Sequence, residues 1–343
     1  MSEYRLGGYM NKVLIIAEAG VNHNGELRLA KKMIRAAAQA GADVVKFQTF
    51  RTESLVTTKA PKAKYQKKRD NADESQFQML KRLELPYSKL DILQKECERN
   101  RVLFLSTAFD LESLDALHKM KLPFFKIPSG EVTNYLYLKK IAQFGRPVIL
   151  STGMCTLDEV EKAIRLLEKN GIRRSFITLL HCNTEYPTPY RDVHLRAMQT
   201  LRSEFGVNVG YSDHTMGTEV AIAAVALGAT VIEKHFTLDC GMSGPDHKAS
   251  IEPRDFKRMV DAIRHIETAL GRSTKKPSAS EKKNIKIARK SIVASQDIKK
   301  GDFFSEKNIT VKRPGTGISP MQWNRVIGRQ AKKDFNLDDL ISI

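Results

Sequence analysis

Short apolar runs alternate with longer amphipathic stretches along the first 270 residues. The run VLIIAE at 13–18 is followed by ELRLAKKMIRAAAQA at 26–40, whose apolar residues recur at helical spacing, and this unit then repeats. Helices are also predicted at 111–120, 157–170, 218–227 and 252–270. The strands predicted in this way lie at 13–18, 42–47, 102–107, 123–128, 147–152, 176–181, 207–212 and 230–235.

Eight strand and helix units predict an α/β chain whose first 271 residues form a (β/α)8 TIM barrel. The competing fold is a doubly wound open sheet, which places a glycine-rich phosphate fingerprint after its first strand. Here that turn reads AGVNHNGE and contains no GxGxxG pattern. The barrel is therefore favoured.

The composition changes after Leu270. The stretch GRSTKKPSASEKKN predicts a linker at 272–287. Short β-type runs and the turn signals KKGD and RPGTG then predict a small β-rich domain at 288–343. A domain of this size buries little surface alone, so we expect it to dock on a partner.

The segment from Arg51 to Glu84 is rich in lysine and too long for an ordinary connection between a strand and a helix. Two interpretations stay open. The segment either covers the mouth of the barrel or extends into solvent.

Composition narrows the class of protein. The 57 Lys+Arg and 39 Asp+Glu give a formal net charge of +18. Residues 254–313 hold 17 basic and 7 acidic residues, but no recognition-helix, RNP or zinc-finger pattern, so solvated surface charge is favoured over nucleic-acid binding.

We expect a cytoplasmic protein that contacts no membrane. The start MSEYRLGGYMNK lacks a signal-type apolar core, and no apolar run approaches the roughly 20 residues that span a bilayer. The cysteines at 97, 155, 182 and 240 form neither CxxC pairs nor a disulfide framework. We interpret them as small buried apolar residues.

Polar residues recur where the predicted strands end. In a (β/α)8 barrel the catalytic groups lie on this face, so the regular placement indicates an active site. The residues concerned are Glu18, Lys46, Thr107, Lys126, Ser151, His181, Ser212 and His235.

Two histidines suggest a metal site. His214 and His235 lie at the ends of the seventh and eighth predicted strands, which are neighbours in a barrel. Two imidazoles that leave coordination positions open suit a divalent cation, with Mn²⁺ favoured and Mg²⁺ or Co²⁺ as alternatives. Asp213 or Glu233 would orient the ring nitrogens. Taken singly, each histidine also fits an ordinary core position.

Lysines and hydroxyl groups around the same mouth suggest an anion site, because phosphate and carboxylate both need such donors. The serine of STGM also fits a helix cap. Glu18 and Glu131 are candidates for proton transfer and for accepting hydrogen bonds from a sugar, or they simply pair with nearby lysines. The proposed anion ligands are Lys46, Thr107, Lys126, Ser129, Ser151 and Ser212.

Nine ordered motifs together resemble bacterial N-acetylneuraminate synthases, a sialic acid synthase family. The resemblance runs from about residue 13 to the end, and the tail is similar to the SAF, or antifreeze-like, domain of that family. The motifs are IIAEAGVNHNG, VVKFQTF, FKIPSGE, ILSTGM, LLHCNTEYPTPY, GYSDHT, IEKHFTLD, GPDHKASIEP and VKRPGTGISP.

The resemblance implies roles for individual positions. His214 and His235 match the residues that hold a Mn²⁺-type ion, and the anion ligands named above match those around phosphoenolpyruvate. Arg313 matches an arginine that reaches into the other subunit's active site, which implies a domain-swapped homodimer. The residues matching those that face the amino sugar are Gln48, Glu131, Tyr186 and Asp246, together with either Asn183 or Thr184.

The implied reaction joins phosphoenolpyruvate, N-acetylmannosamine and water into N-acetylneuraminate and phosphate, with Glu18 managing the water. GPDHKASIEP and the N-terminal motifs favour this sugar. The alternative is N,N'-diacetyllegionaminate synthesis from a diacetylated trideoxy sugar, and a 6-phosphorylated sugar is a third choice. A hypothesis from another class is a carbohydrate- or nucleic-acid-binding protein without catalysis.

Overall fold

The computed structural model describes residues 12–63 and 74–343. Residues 1–11, which form nearly all of the start MSEYRLGGYMNK, lie outside the described residues. The same is true of residues 64–73 in the long segment. The chain divides into two compact units, Met1–Gly271 and Arg272–Ile343, which are described separately.

The first unit is the predicted parallel barrel. All eight predicted strands are present, with ends that shift by a few residues at most. A continuous hydrogen-bonded ladder runs β3-β2-β1-β8-β7-β6-β5-β4, and its two end strands, β3 and β4, pack side by side. The strands are β1 (Leu14–Gly20), β2 (Val44–Thr49), β3 (Leu103–Ala108), β4 (Phe125–Ile127), β5 (Val148–Ser151), β6 (Ile177–His181), β7 (Asn208–Asp213) and β8 (Val231–His235).

Helices surround the strands, and each predicted helix is confirmed. The helix α1 (Leu27–Gln39) buries Ala30, Met33, Ile34 and Ala37, which is the helical spacing of its apolar residues. In the described part of this unit, the remaining helices are α2 (Thr52–Leu55), α3 (Gln76–Leu83), α4 (Leu90–Arg99), α5 (Leu111–Lys119), α6 (Tyr135–Ala142), α7 (Leu157–Lys169), α8 (Ala197–Phe205), α9 (Glu219–Ala226) and α10 (Pro253–Leu270).

The strands are mostly apolar because parallel strands covered by helices are buried on both faces. β1 is buried at all seven positions. Side chains alternate between the barrel interior and the helix layer, so residues two apart on a strand share a face. Near the carboxyl ends the interior-facing residues become polar, and this change creates a polar floor at one end of an otherwise apolar barrel.

Gly210 marks a close approach between strands. A Cβ atom at this position would meet the backbone carbonyl oxygen of Val231 and lie 2.7 Å from a methyl carbon of Leu180. We expect Gly210→Ala to lower the free energy of unfolding by about 1–3 kcal/mol, because a backbone group cannot move aside as a flexible side chain can. Urea denaturation measures this change.

The matched control for Gly210 is Gly130, whose added Cβ would meet no atom within 4 Å. Gly130→Ala should leave the free energy of unfolding unchanged or slightly raised, since alanine restricts the unfolded chain. Equal stability of the two variants would contradict the packing argument.

The second unit is small and β-rich, as expected. It contains α11 (Ala279–Ala288), β9 (Ser291–Ala294), β10 (Ile309–Lys312) and α12 (Trp323–Val326), with β9 and β10 antiparallel. The predicted linker at 272–287 contains all but the last residue of α11. Ser278 caps this helix in a capping box with Glu281. The unit's own core consists of Ile292, Ala294, Ile298, Phe304, Ile309, Val326, Ala331, Phe335 and Ile341.

Within the described part of the chain, no helix is both long enough and apolar enough to cross a bilayer.

Candidate active site

The carboxyl ends of the barrel strands surround a cavity of about 250 Å³. Most of the predicted site residues meet there, although they are spread over more than 200 positions of sequence. His181 is an exception, because its Nε2 faces the carbonyl oxygen of Val193 at 2.7 Å and it is absent from the cavity lining. The predicted residues that line the cavity are Glu18, Lys46, Gln48, Thr107, Lys126, Ser129, Ser151, Tyr186, Ser212, His214, His235 and Asp246.

Two buried lysines form the centre of the floor. Lys46 Nζ lies 2.7 Å from Glu18 Oε2 and donates to Thr107 Oγ1 at 3.1 Å. Lys126 Nζ donates to Ser151 Oγ at 2.6 Å. Each lysine also lies 3.7 Å from a carboxylate oxygen of Glu233. The alternative that Glu18 pairs with a nearby lysine is therefore realised, in a position that still lines the cavity.

The two carboxyl groups have different proton affinities. Burial raises the pKa of Glu18 to about 7, against the attraction of Lys46, and repulsion from Glu233 adds to the increase. Burial also acts to raise the pKa of Glu233, but Lys126 and Lys46 outweigh it and hold that pKa at about 2. Glu233 is thus the permanent counter-ion, while Glu18 is able to gain or lose a proton near neutral pH.

The pKa values of the two lysines shift in opposite directions. Burial acts to lower the pKa of Lys46, but Glu18 and Glu233 reverse that effect and raise it. For Lys126, burial outweighs the attraction of Glu233, and repulsion from Lys46 adds to the effect of burial. The pKa of Lys126 is therefore lowered. Together with nearby hydroxyl groups, the lysines provide donors for an anionic ligand.

His214 and His235 approach each other as the strand order predicts, with ring centroids 5.3 Å apart and planes at 71°. Burial lowers the pKa of His214 to about 4, and it lowers the pKa of His235 well below its usual range. Both imidazoles are therefore neutral at pH 7, which is the form that binds metal ions.

The hydrogen bonds around the two imidazole rings leave one nitrogen of each ring without a donor. His214 Nδ1 donates to the carbonyl oxygen of Asn183. Its Nε2 then faces Ser212 Oγ at 3.3 Å, although the hydrogen of that hydroxyl is donated to Glu233 Oε1 at 3.0 Å. His235 Nδ1 is buried and has no hydrogen-bond partner among the described residues. Ring nitrogens with unsatisfied lone pairs fit a divalent cation.

Among residues 12–63 and 74–343, no three His, Cys, Asp or Glu side chains are grouped so as to hold a metal ion alone. A cation held by the two predicted imidazoles would need its other ligands from water or substrate. The predicted orienting role of Asp213 is wrong. Its carboxylate instead accepts from Lys234 Nζ at 2.6 Å and from the backbone amide of Thr215 at 2.9 Å.

This ion pair lies behind the histidines, in the layer between strands and helices. Asp213 and Lys234 are both buried, and Lys234 Nζ also donates to the carbonyl oxygen of Thr215 at 2.9 Å. His214 lies between two residues of this network. The pair thus positions the loop that carries one of the proposed metal ligands.

The predicted sugar-binding residues divide into two groups. Gln48, Tyr186 and Asp246 line the cavity, and the Tyr186 ring lies 4.1 Å from the His214 ring. Gln48 Nε2 also donates to Glu18 Oε1 at 3.1 Å. Of the two competing residues after β6, Thr184 lines the cavity.

Three predicted residues lie elsewhere. Asn183 Oδ1 accepts from the backbone amide of Glu185 at 2.7 Å, in a local turn. Half-buried Glu131 accepts from Asn134 Nδ2 at 2.6 Å and is absent from the cavity lining. Arg313 belongs to the second unit, where its Nε donates to the carbonyl oxygen of Ala288 at 3.0 Å.

Ser151 and Glu233 each had another interpretation from the sequence, as a helix cap and as an orienting group for a histidine. Ser151 does not cap a helix, because Thr156 caps α7 in a capping box with Glu159. Glu233 contacts the lysines and Ser212, which the period of two along β8 indicates, since Glu233 and His235 share a face. Cys182 also lines the cavity, and all four cysteines are free thiols.

Apolar residues on one side of the cavity were missed altogether. Helix α3 contributes three of them from within the long segment 51–84, which supports the interpretation that this segment covers the mouth. The apolar residues are Val21, Met79, Leu80, Leu83 and Phe109.

This arrangement has the parts of a condensation site. Buried cationic and hydroxyl donors can hold a phosphate and a carboxylate, and neutral imidazoles can hold a Lewis-acidic cation. A carboxyl group whose pKa lies near 7 can accept and return a proton.

Known proteins resemble this chain over most of its length. A relative from Campylobacter jejuni named N,N'-diacetyllegionaminic acid synthase is 56% identical over 97% of this chain and 99% of its own length. A relative of the same name from Legionella pneumophila is 46% identical over 94% of this chain and 91% of its own length. The solved structure of an N-acetylneuraminic acid synthetase from Leptospira borgpetersenii superposes with a TM-score of 0.71 at 35% identity, covering 80% of this chain and 90% of the other.

Family assignments agree with both units. The NeuB family matches residues 33–275, and the SAF domain matches residues 289–342. The chain therefore belongs to the NeuB family of phosphoenolpyruvate-dependent nonulosonic acid synthases and ends in a SAF domain.

Proposed function

We propose that this protein is an N,N'-diacetyllegionaminic acid synthase. It joins phosphoenolpyruvate, 2,4-diacetamido-2,4,6-trideoxymannose and water into N,N'-diacetyllegionaminic acid and phosphate. The observation that carries the choice of sugar is the 56% identity over 97% of the chain to a relative of that name. This proposal prefers the alternative of the sequence analysis over N-acetylmannosamine, which the motifs alone favour.

Phosphoenolpyruvate binds at the floor of the cavity in this proposal. Lys46 and Lys126 supply positive charge, and Thr107, Ser151 and Ser212 supply hydroxyl groups beside them. Such pre-oriented donors hold the phosphate and the carboxylate without reorganisation during the reaction. Ser129, whose Oγ accepts from the backbone amide of Gly153 at 3.0 Å, extends this surface towards the mouth.

The open-chain sugar binds above this floor with its aldehyde towards His214 and His235. A divalent cation held by these two imidazoles, with Mn²⁺ favoured, would supply Lewis-acid polarisation of the aldehyde. Gln48, Tyr186 and Asp246 orient the rest of the sugar, so that C3 of the enol lies close to the aldehyde carbon.

The reaction then needs two bond-forming steps. C3 of phosphoenolpyruvate attacks the aldehyde carbon, and water adds at C2. The resulting tetrahedral centre expels phosphate and leaves the keto group. Glu18 is the proposed group for the proton of this water, because it lines the floor of the cavity and is held by both Lys46 and Gln48.

The test is phosphate release from phosphoenolpyruvate with Mn²⁺, with and without EDTA. Three sugars are compared: the diacetylated trideoxy sugar, N-acetylmannosamine and N-acetylmannosamine 6-phosphate. We expect the diacetylated trideoxy sugar to give the highest kcat/KM and EDTA to abolish release. A preference for another of the three sugars would contradict the proposed substrate while keeping the reaction.

Absence of phosphate release with every sugar would contradict the enzyme proposal itself. The hypothesis of a non-catalytic carbohydrate- or nucleic-acid-binding protein would then regain weight. The domain-swapped homodimer, with Arg313 reaching the other subunit's site, stays a prediction from the family resemblance.

A further inference from the structure

One side of the cavity is built from hydrocarbon side chains. Val21 follows β1, Phe109 follows β3, and Met79, Leu80 and Leu83 come from α3; these five residues are called the apolar wall. The apolar wall belongs to a hydrophobic cluster separate from the barrel core, which also includes Phe50 and Leu55. It therefore exists as a surface of the site and not as an extension of the barrel interior.

The apolar wall is firmly seated. Its members Met79 and Leu83 are buried, and Ser75 caps α3 in a capping box with Gln78. At the other end of α3, Glu84 accepts from the backbone amide of Thr52 at 3.0 Å and from its hydroxyl at 2.9 Å. A surface held at both ends presents a fixed shape to a ligand.

Two members of the apolar wall are only half-buried. Leu80 and Phe109 retain accessible surface and line the cavity. Neither side chain has a hydrogen-bonding group, so a ligand hydroxyl against them would lose its bond to water without a replacement. A methyl group in the same place would instead gain from leaving water.

The competing sugars differ in these chemical terms. The diacetylated trideoxy sugar carries a methyl group at C6 and an acetamido group at C4, where N-acetylmannosamine carries hydroxyl-bearing groups. Both differences lie at the end remote from the reacting aldehyde. In the proposed function, the aldehyde end, which the two sugars share, faces the histidines and the phosphoenolpyruvate held by the lysines.

We propose that the apolar wall determines sugar specificity by contacting the C6 methyl and the C4 acetamido methyl of the substrate. This inference rests on the proposed function and assigns its selectivity to Leu80 and Phe109. One methyl group in an apolar pocket typically changes selectivity by about 10- to 200-fold, which sets the size of the expected effect.

The test compares kcat/KM for the two sugars in the wild type and in Leu80→Gln. We expect the ratio in favour of the diacetylated trideoxy sugar to fall at least about tenfold, with the KM for phosphoenolpyruvate unchanged. The matched control is Leu55→Gln, because Leu55 is half-buried in the same cluster but does not line the cavity. The control should keep the wild-type ratio.

Phe109→Tyr is a second test, because it adds a hydroxyl group and preserves the shape of the side chain. If Leu80→Gln does not fold, the ratio of kcat/KM for the two sugars in Phe109→Tyr tests the inference. A wild-type preference for the diacetylated sugar combined with unchanged ratios in the folded Leu80 and Phe109 variants would overturn this inference alone. A wild type that prefers N-acetylmannosamine, or releases no phosphate, would overturn the proposed function and this inference with it.

Discussion

Replacing His235 with alanine should lower phosphate release by about 10³-fold or more while leaving the fold intact. A Lewis-acidic cation contributes several kcal/mol to a transition state, and each 1.36 kcal/mol corresponds to a factor of ten in rate. Removal of one imidazole would leave the proposed cation with a single histidine ligand from the protein. Calorimetric titration with Mn²⁺ should show weaker binding in the same variant.

The matched control is His181→Gln. His181 also ends a strand, but its ring faces the carbonyl of Val193 and does not line the cavity. We expect this variant to bind Mn²⁺ like the wild type and to keep most of its activity. Normal Mn²⁺ binding and phosphate release in a folded His235→Ala protein would rule out the proposed metal site.

Lys234→Met should lower the free energy of unfolding by about 3–5 kcal/mol, because it leaves the buried Asp213 carboxylate without its partner. The distance of 2.6 Å between Lys234 Nζ and Asp213 Oδ2 and the burial of both residues make this pair unlike the ion pairs on the protein surface. Urea denaturation measures the loss.

Adding Asp213→Asn to Lys234→Met should restore part of the stability, since a neutral amide costs less to bury than an unpaired carboxylate. A surface control is Lys162→Met, which breaks an exposed pair with Asp158 at 2.6 Å. That variant should unfold at the wild-type urea concentration. A Lys234→Met protein as stable as the control would contradict the role given to the buried pair.

The barrel was predictable because its strands are short apolar runs that end in polar residues. Near the strand ends, the period of two further separates Ser212 and His214, which face the cavity, from Asp213, which faces the helices. The same period separates Glu233 and His235 from Lys234. Asp213 was assigned to the histidines because it precedes His214 in the sequence. Side chains alternate along a strand, so these two neighbours face opposite sides.

Contacts made by residues far apart in sequence were not predictable in the same way. Helix α3 reaches the cavity from a long polar segment, and only its packing on Val21 and Phe50 reveals which side it presents. The family resemblance predicted Glu131 and either Asn183 or Thr184 as sugar ligands, whereas local hydrogen bonds satisfy the side chains of Glu131 and Asn183. Sequence spacing alone does not distinguish such a turn from a ligand contact.

The ladder of the barrel has two ends, and they meet between β3 and β4. Lys46 stands on β2, on one side of this seam, and Lys126 stands on the three-residue strand β4, on the other. In the proposed function, an anion held by both lysines would connect the two sides of this seam. We therefore expect bound phosphoenolpyruvate to stabilise the barrel against unfolding.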